Sequence, residues 1–158
     1  MQTTIQLLIF TVENHRFGLD INAIQRIERA VEITPVPEMP AVITGIIDYH
    51  GQILPVFDLR KRLGISAKEV SASWRFLVVQ TAARLVIVAA DLVEGVVNVP
   101  AETITPGPEI EKNLQQPSFL RLEKDIIFLY DIESFLSPED ETGLEQALHN
   151  FLQQSVSQ

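Results

Sequence analysis

The sequence predicts a mostly β fold in which two similar β-barrels in tandem pack into one globule and are followed by an amphipathic helix. Three observations support this class. Short apolar runs rich in β-forming residues succeed one another with turn signals between them. The pattern of the first half restarts in the second, and a unit of about 70 residues is too small for a sandwich but suits a small barrel. The final segment changes to a helical period.

The chain begins with a predicted hairpin. Residues 7–12 form an apolar run of β-forming residues, the turn-prone Glu13-Asn14 follows, and residues 15–20 supply the partner strand. Three isoleucines then recur at intervals of three, which fits either a turn of helix or a twisted crossing into another strand. They are Ile21, Ile24 and Ile27.

A proline-rich connector and a second hairpin come next. Residues 34–40 contain three prolines, and because proline lacks the N–H that a central strand needs, this segment is predicted to be an extended connector. Residues 45–50 and 53–58 read as two strands around a turn at Gly51-Gln52.

A short helical turn over residues 60–63, closed by Gly64, is predicted to follow the second hairpin. It contains the basic cluster Arg60-Lys61-Arg62, which we interpret as a solvated helical turn rather than a nucleic-acid patch. Residues 65–74 then form a polar linker of mostly small residues.

The second half repeats the first in two registers. Residues 75–81 overlay 6–12 at an offset of 69, and residues 125–132 overlay 52–59 at an offset of 73. The first register also pairs Val93 with Ile24 and Val96 with Ile27. We therefore predict a pseudo-repeat.

The predicted boundaries follow from this repeat. The barrel halves are expected at 1–64 and 75–136, and a C-terminal helix at 137–158. The helix should begin with a capping box from Ser137 to Asp140, with proline in its first turn. Its apolar stripe favours a helix packed on the barrels over a detachable one. The stripe consists of Leu144, Ala147, Leu148, Phe151 and Leu152.

Composition excludes several classes of function. The 158 residues carry a formal net charge of −9 and no cysteine. An acidic chain is a poor partner for nucleic acid or anionic lipid. Without cysteine there is no disulfide framework, thiolate metal site or cysteine nucleophile. No apolar run approaches the roughly 18 residues of a membrane helix, and the N-terminus does not resemble a secretory signal. We expect a cytoplasmic protein that does not insert into the membrane.

The sequence shows no catalytic or cofactor-binding constellation. Its three histidines are far apart, and Asp48 with His50 supplies only two possible metal ligands where three or four are needed. We interpret His50 as a surface residue at a hairpin end. Asp58 and Asp131 end equivalent strands in the two halves, which indicates structural caps rather than phospho-accepting groups. No cofactor and no enzymatic activity are predicted.

With these segments assembled, the sequence resembles the CheW family of bacterial chemotaxis adaptors. The resemblance runs from about residue 6 to residue 136, and its specificity lies in the order and spacing of the matching pieces. These pieces are residues 8–12, 17–21 with Ile24 and Ile27, 33–37, 45–60, 91–97 and 126–132.

The resemblance implies two SH3-like five-stranded barrels and a non-enzymatic scaffold. The scaffold would join a CheA-type histidine kinase, through the kinase's regulatory domain, to the cytoplasmic tips of chemoreceptors clustered at the inner membrane. It also implies an apolar groove between the barrels that binds the receptor. The alternative is that the side chains in question are ordinary core. By match, the groove would be lined by Ile21, Ile24, Ile27 and Val93.

Two positions depart from the family pattern. His50 stands where family members commonly carry arginine, and Arg26 where a glutamate is common. Arginine offers a permanent charge and a bidentate fork, whereas neutral histidine offers neither. These departures leave two alternatives open. One is a divergent protein that binds the kinase without coupling receptors, and the other is a small-molecule module that uses the inter-barrel cleft.

Overall fold

The computed structural model describes residues 3–66, 68–107, 109–111, 114–115, 118–131, 133 and 136–156. The first half contains β1 (Thr4–Val12), β2 (His15–Asp20), a 3-10 turn (Ile21–Ala23), β3 (Ile24–Arg29), β4 (Ile43–Tyr49), β5 (Gln52–Phe57) and α1 (Leu59–Leu63). The second half contains β6 (Arg75–Gln80), β7 (Leu85–Ala90), β8 (Leu92–Pro100), a 3-10 turn (Ala101–Thr103), β9 (Glu109–Glu111), β10 (Leu114–Gln115), β11 (Ser118–Leu122), β12 (Asp125–Leu129) and α2 (Pro138–Val156).

The strands form two five-stranded sheets, each of which makes one SH3-like barrel. One sheet has the order β11-β12-β2-β1-β8 and contains strands from both ends of the chain; we call it the terminal barrel. The other has the order β3-β6-β7-β5-β4, and we call it the central barrel. The hairpin of β9 and β10 stands apart as a two-stranded sheet. The prediction of a mostly β chain with two small barrels and a C-terminal helix is confirmed.

The predicted repeat reappears in the strand pairing. The antiparallel β1–β2 ladder corresponds to β6–β7, and β1–β8 corresponds to β6–β3. The parallel β2–β12 pair corresponds to β7–β5, and the β11–β12 ladder to β4–β5. Both sequence registers are thus matched by equivalent strands, although Ile132 of the second register lies outside the described residues.

The barrels are not the contiguous halves 1–64 and 75–136 that the sequence suggested. Each repeat gives its first two strands to one barrel and its last three to the other. The chain crosses between sheets at the 3-10 turn after Asp20, whose carboxylate accepts a hydrogen bond of 2.9 Å from the Asn22 amide. The repeat identified equivalent strands, but equivalence alone does not decide which copy of a strand pairs with which.

Strand exchange places β1 and β6 between two cores. Along β1, Leu7 and Ile9 pack inside the terminal barrel, while Leu8 and Phe10 pack between the barrels. Burial on both faces explains why these strands read as continuous apolar runs rather than alternating ones. The core between the barrels, which we call the junction core, includes buried residues of both sheets. They are Leu8, Phe10, Val12, Phe17, Leu19, Ile43, Phe57, Leu59, Leu77, Val79, Val86, Val88 and Ala90.

Both predicted hairpins form, and one turn is shifted. Val12 pairs with His15 around the expected Glu13-Asn14 turn. In the second hairpin Tyr49 pairs with Gln52, so the turn residues are 50–51 and not 51–52. A two-residue turn of this kind needs positive φ at both positions, and His50 (φ 53°) and Gly51 (φ 89°) adopt it.

The predicted strand-end caps are present in both repeats. The Asp58 carboxylate accepts a hydrogen bond of 2.9 Å from the Arg60 amide, and the Asp131 carboxylate accepts one of 3.0 Å from the Glu133 amide. Gly64 ends α1 in the left-handed conformation (φ 72°), as its position after the predicted helical turn suggested.

Arg60 joins the two barrels by a buried ion cluster. Its Nη2 lies 2.6 Å from Asp91 Oδ2 and 3.0 Å from Glu13 Oε1. Its guanidinium lies 4.5 Å from the centre of the Trp74 ring, close enough for a cation–π interaction. Asp91 links β7 of the central barrel to β8 of the terminal barrel, and Glu13 lies in the β1–β2 turn. The cluster therefore connects the chain after β5 to two elements of the other barrel.

The interpretation of the basic cluster as solvated is wrong for Arg60. Lys61 and Arg62 are exposed, but only 2% of Arg60 is accessible. Burial disfavours its charge, yet the hydrogen bonds and attraction of two carboxylates outweigh that penalty, and the pKa of Arg60 is raised above its ordinary value. These partners are distant in sequence, so residue spacing gave no indication of them.

Helix α2 begins with the predicted capping box and packs on the central barrel. Ser137 Oγ accepts a hydrogen bond of 3.0 Å from the Asp140 amide, and Asp140 Oδ2 accepts one of 3.3 Å from the Ser137 amide. Ala147 is buried against Val36 and Ile46, the latter in β4. This is the packed arrangement that the apolar stripe favoured.

An ion cluster holds the first turns of α2 against the β6–β7 turn. Arg84 donates a hydrogen bond of 3.0 Å from Nε to Glu141 and one of 3.1 Å from Nη2 to Glu145. The helix is thereby attached to the central barrel by both apolar and charged contacts.

We expect Gly143→Ala to raise the free energy of unfolding by about 1 kcal/mol, because glycine is a poor residue in a helix interior. A Cβ at this position would lie 3.4 Å from Pro40 Cγ, which is ordinary contact. Denaturant unfolding would measure the change.

Gly64→Ala is the matched control. Apart from its chain neighbours, no atom of the described residues lies within 4 Å of the point that a Cβ at this position would occupy, so the positive φ is what opposes the substitution. It should lower the free energy of unfolding by about 1–2 kcal/mol. A loss of stability in Gly143→Ala would contradict the packing described for α2.

Candidate interaction site

One face of β3 carries two isoleucines at the margin of the junction core. Ile24 lies opposite Val79 and Ile27 opposite Leu77 in the β3–β6 ladder, and both partners are buried in the junction core. Opposed residues of a ladder share a face of the sheet, so Ile24 and Ile27 face the junction too. A β-bulge at Gln25 lets residues three apart share this face, which a regular strand does not allow.

The equivalent face of β8 also carries two apolar residues opposite the junction core. Val93 lies opposite Phe10 and Val96 opposite Leu8, and both partners belong to the junction core. The ladder is again interrupted by a bulge, here at Glu94. Because β3 and β8 are the edge strands of their sheets, the two bulged faces border the junction from opposite barrels.

These side chains form an apolar strip along the junction. Ile21, Ile24 and Val93 are half-buried and pack on the junction core, whereas Ile27 is 43% and Val96 51% exposed. The inner members thus pack against the fold, and the outer members keep about half of their surface exposed. We define the strip as Ile21, Ile24, Ile27, Val93 and Val96.

The four side chains singled out in the sequence, and Val96, lie on the junction-facing side of their own elements. The signal for Val96 was present in the sequence, since the offset of 69 makes it the counterpart of Ile27. Both explanations proposed for the interval of three among the isoleucines, a helical turn and a crossing into a strand, apply. Ile21 lies in a 3-10 turn, and Ile24 and Ile27 lie on a bulged strand.

Arg26 lies on the other face of β3 from the strip. It is opposite Val78, which packs in the core of the central barrel. Its guanidinium lies 5.5 Å from the centre of the Tyr49 ring, and its Nε lies 3.1 Å from Glu28 Oε1. Since β3 and β4 are the two edges of the sheet, this stacking connects the edges and closes the barrel.

Asp48 and His50 serve the β4–β5 turn. The Asp48 carboxylate accepts a hydrogen bond of 2.8 Å from the Gly51 amide, and His50 is exposed in the turn itself. Interpreting His50 as a surface residue at a hairpin end is confirmed. The two positions that depart from the family pattern thus lie on either side of Tyr49, one stacked on its ring and the other next to it in the chain.

Tyr49 places a hydroxyl in a buried position without a hydrogen-bond partner among the described residues. Burial is the main cause that raises the pKa of Tyr49, and the nearby Glu28 carboxylate adds to it. The hydroxyl is therefore held neutral in the folded protein over a wider pH range than in the unfolded chain.

Two surface cavities lie apart from the β4–β5 turn. One of about 910 Å³ separates residues 36–38 from the C-terminal part of α2, and one of about 430 Å³ lies beside the 3-10 turn that precedes β3. Neither Asp48 nor His50 lines either cavity. Within the part of the chain described, no three His, Asp or Glu side chains are placed to hold a metal ion, and no helix is long and apolar enough to cross a membrane.

Two SH3-like barrels in tandem define the structural class, and comparison with known proteins gives the same class. The model of the CheW-like domain family matches residues 6–140. The chain belongs to this family.

Similar proteins include chemotaxis protein CheW of Rhizobium meliloti, 30% identical over 139 residues that cover 85% of this chain and 89% of the relative. Protein FrzA of Myxococcus xanthus is 30% identical over 103 residues, which cover 65% of this chain and 64% of the relative. Among solved structures, the crystal structure of the scaffolding protein TtCheW from Thermoanaerobacter tengcongensis is similar, with a TM-score of 0.75 and 25% identity over 87% of this chain and 91% of that one.

Tyr49→Phe should leave the free energy of unfolding at pH 7 unchanged or raise it by up to about 1 kcal/mol, because the lost hydroxyl has no partner among the described residues. A raised pKa means that, above about pH 10, the unfolded chain loses the phenol proton before the folded protein does. Stability therefore falls as the pH rises through that range. Tyr49→Phe should lessen this fall in denaturant unfolding measured between about pH 7 and pH 11.

Tyr130→Phe is the comparison, since burial raises the pKa of Tyr130 as well. Each variant should lessen the high-pH loss separately. A large loss of stability in Tyr49→Phe at pH 7 would show that its hydroxyl is hydrogen-bonded.

Proposed function

We propose that this protein is a non-enzymatic adaptor of chemotaxis-type signalling, which joins a CheA-type histidine kinase to the cytoplasmic tip of a chemoreceptor. Membership of the CheW-like domain family supports the role. The structural observation that carries it is the apolar strip, in which exposed Ile27 and Val96 occupy equivalent positions on two edge strands.

The strip fits the apolar face of a helical receptor tip. Complete burial of a fully exposed isoleucine or valine side chain stabilises a complex by roughly 1.5–3 kcal/mol. Because Ile27 and Val96 already have about half of their surface covered, each would supply roughly half of that, which suits a transient interface. The half-buried members, Ile21, Ile24 and Val93, form the base of the same surface. A contact of this kind does not require catalytic groups or a cofactor.

The kinase contact is proposed to lie on a barrel surface outside the strip, so that both partners bind at once. The protein would work in the cytoplasm and would reach the inner membrane face through the receptors it binds. A protein that binds the kinase but does not couple receptors remains the alternative. Arg26 favours this alternative, because it stands where a glutamate is common in the family. It is stacked on Tyr49 and paired with Glu28, so it does not face the strip.

We expect Ile27→Asp and Val96→Asp each to weaken binding of a receptor tip fragment at least tenfold and to leave binding of the kinase regulatory domain unchanged. Both fragments would come from the genome that encodes this protein, and calorimetry would measure both affinities. Because the two side chains are about half-exposed and lie on β-strands, each substitution should lower the free energy of unfolding by about 1–2 kcal/mol and leave the protein folded.

Ile126→Asp is the matched control. This side chain is 39% exposed on β12, three strands away from β8 in the terminal barrel. It should leave receptor binding unchanged. Equal loss of receptor binding in the control would refute the strip as the contact, and kinase binding without receptor binding in the parent protein would favour the alternative.

A further inference from the structure

The two sides of the apolar strip belong to different barrels. Ile24 and Ile27 lie on β3 of the central barrel, while Val93 and Val96 lie on β8 of the terminal barrel. The separation of the two sides therefore depends on how one barrel is oriented on the other. Apolar packing in the junction core holds the barrels together, but the hydrophobic effect is not directional.

The Arg60 ion cluster is a directional contact at this junction. Its Nη2 donates to both oxygens of Asp91, at 2.7 Å and 2.6 Å, and its Nε and Nη2 donate to Glu13 Oε1 at 3.1 Å and 3.0 Å. Hydrogen bonds between charged groups are strong and depend on orientation. The planar guanidinium also lies against the Trp74 ring, and this third contact restricts its orientation further.

Asp91 connects this cluster directly to the strip. Its carboxylate also accepts a hydrogen bond of 2.9 Å from the Glu13 amide, and its own amide donates one of 2.8 Å to the Thr11 carbonyl. Leu92 and Val93 follow immediately and begin β8. Arg60 thus holds the point at which the chain leaves the central barrel and starts the far side of the strip.

The equivalent positions of the other repeat carry different side chains. The offset of 73 places Glu133 at the position of Arg60, and the offset of 69 places Ala82 at that of Glu13. There the Glu133 carboxylate accepts hydrogen bonds of 2.9 Å and 3.1 Å from the Ala82 amide. A carboxylate again holds the hairpin turn, but an acidic side chain replaces the guanidinium that links three elements in the Arg60 ion cluster.

We propose that Arg60 is a positioning residue for partner binding, which sets the separation of the two sides of the strip by fixing the orientation of the barrels. This rests on the proposed function of the strip as the receptor contact. Arg60 acts through Asp91 and Glu13, and it is too deeply buried to touch a partner itself.

The geometry can be tested without any partner. The chain contains no cysteine, so Gln25→Cys and Asn98→Cys, both at exposed positions on β3 and β8, allow two spin labels to be placed across the strip. In the labelled protein Arg60→Lys should shift or broaden the inter-label distance distribution. Lysine keeps the charge but cannot reproduce the planar fork or its stacking on Trp74.

Leu120→Ala is the control for loss of stability alone. Leu120 is buried inside the terminal barrel, away from the junction core, and its truncation should leave the distance distribution unchanged under conditions where both variants are folded. If Arg60→Lys does not fold, Asp91→Asn, which keeps the shape and removes the charge, takes its place with the same expected shift. An unchanged distribution in the folded Arg60 or Asp91 variant, or an equal change in Leu120→Ala, overturns the proposal.

Receptor-tip binding by the unlabelled variants completes the test. Arg60→Lys should weaken it at least fivefold, and Leu120→Ala should not. A changed distance with unchanged receptor affinity overturns the role in binding. If the parent protein does not bind the receptor fragment at all, the proposed function fails, whereas the distance measurement still decides whether Arg60 orients the barrels.

Discussion

Each barrel of this protein takes its first hairpin from one repeat and its remaining strands from the other, and this exchange constrains the rest of the structure. Because β1 and β6 are shared between a barrel and the junction, both of their faces are buried, and the two barrels have a continuous apolar core between them. The barrels therefore form one unit rather than two domains on a linker. This suits a scaffold, because binding surfaces on different barrels keep a fixed relative position only if the two barrels are held rigidly together.

The repeat is most regular in its apolar residues and least regular in its polar ones. Bulges occur at equivalent positions of β3 and β8 and direct equivalent apolar side chains to the junction. In contrast, Arg60 and Glu133 are counterparts of opposite charge, and Arg26 has Gly95 as its counterpart. The apolar pattern preserves the pseudo-symmetric framework, and the polar side chains make different hydrogen bonds in the two repeats.

Sheet edges are where unrelated chains can pair, and here the edges have defined uses. The stacking of Arg26 on Tyr49 joins the two edges of the central barrel, so this residue, which departs from the family pattern, has a structural task. The junction-facing sides of β3 and β8 instead expose the apolar strip. Helix α2 covers part of β4 and is tied by Arg84 to the β6–β7 turn.

Local composition and spacing were enough to predict the two hairpins of the first half, the strands near 75–81 and 125–132, the repeat, the strand-end caps and the capping box of α2. The sequence also indicated the family and four members of the strip. The exchange of strands between the repeats became visible only in the three-dimensional fold, since an offset identifies equivalent strands but not their partners. The burial of Arg60 and the orientation of Arg26 away from the strip were likewise visible only there. Charged side chains take their environment from residues far away in the chain, and no local pattern encodes that.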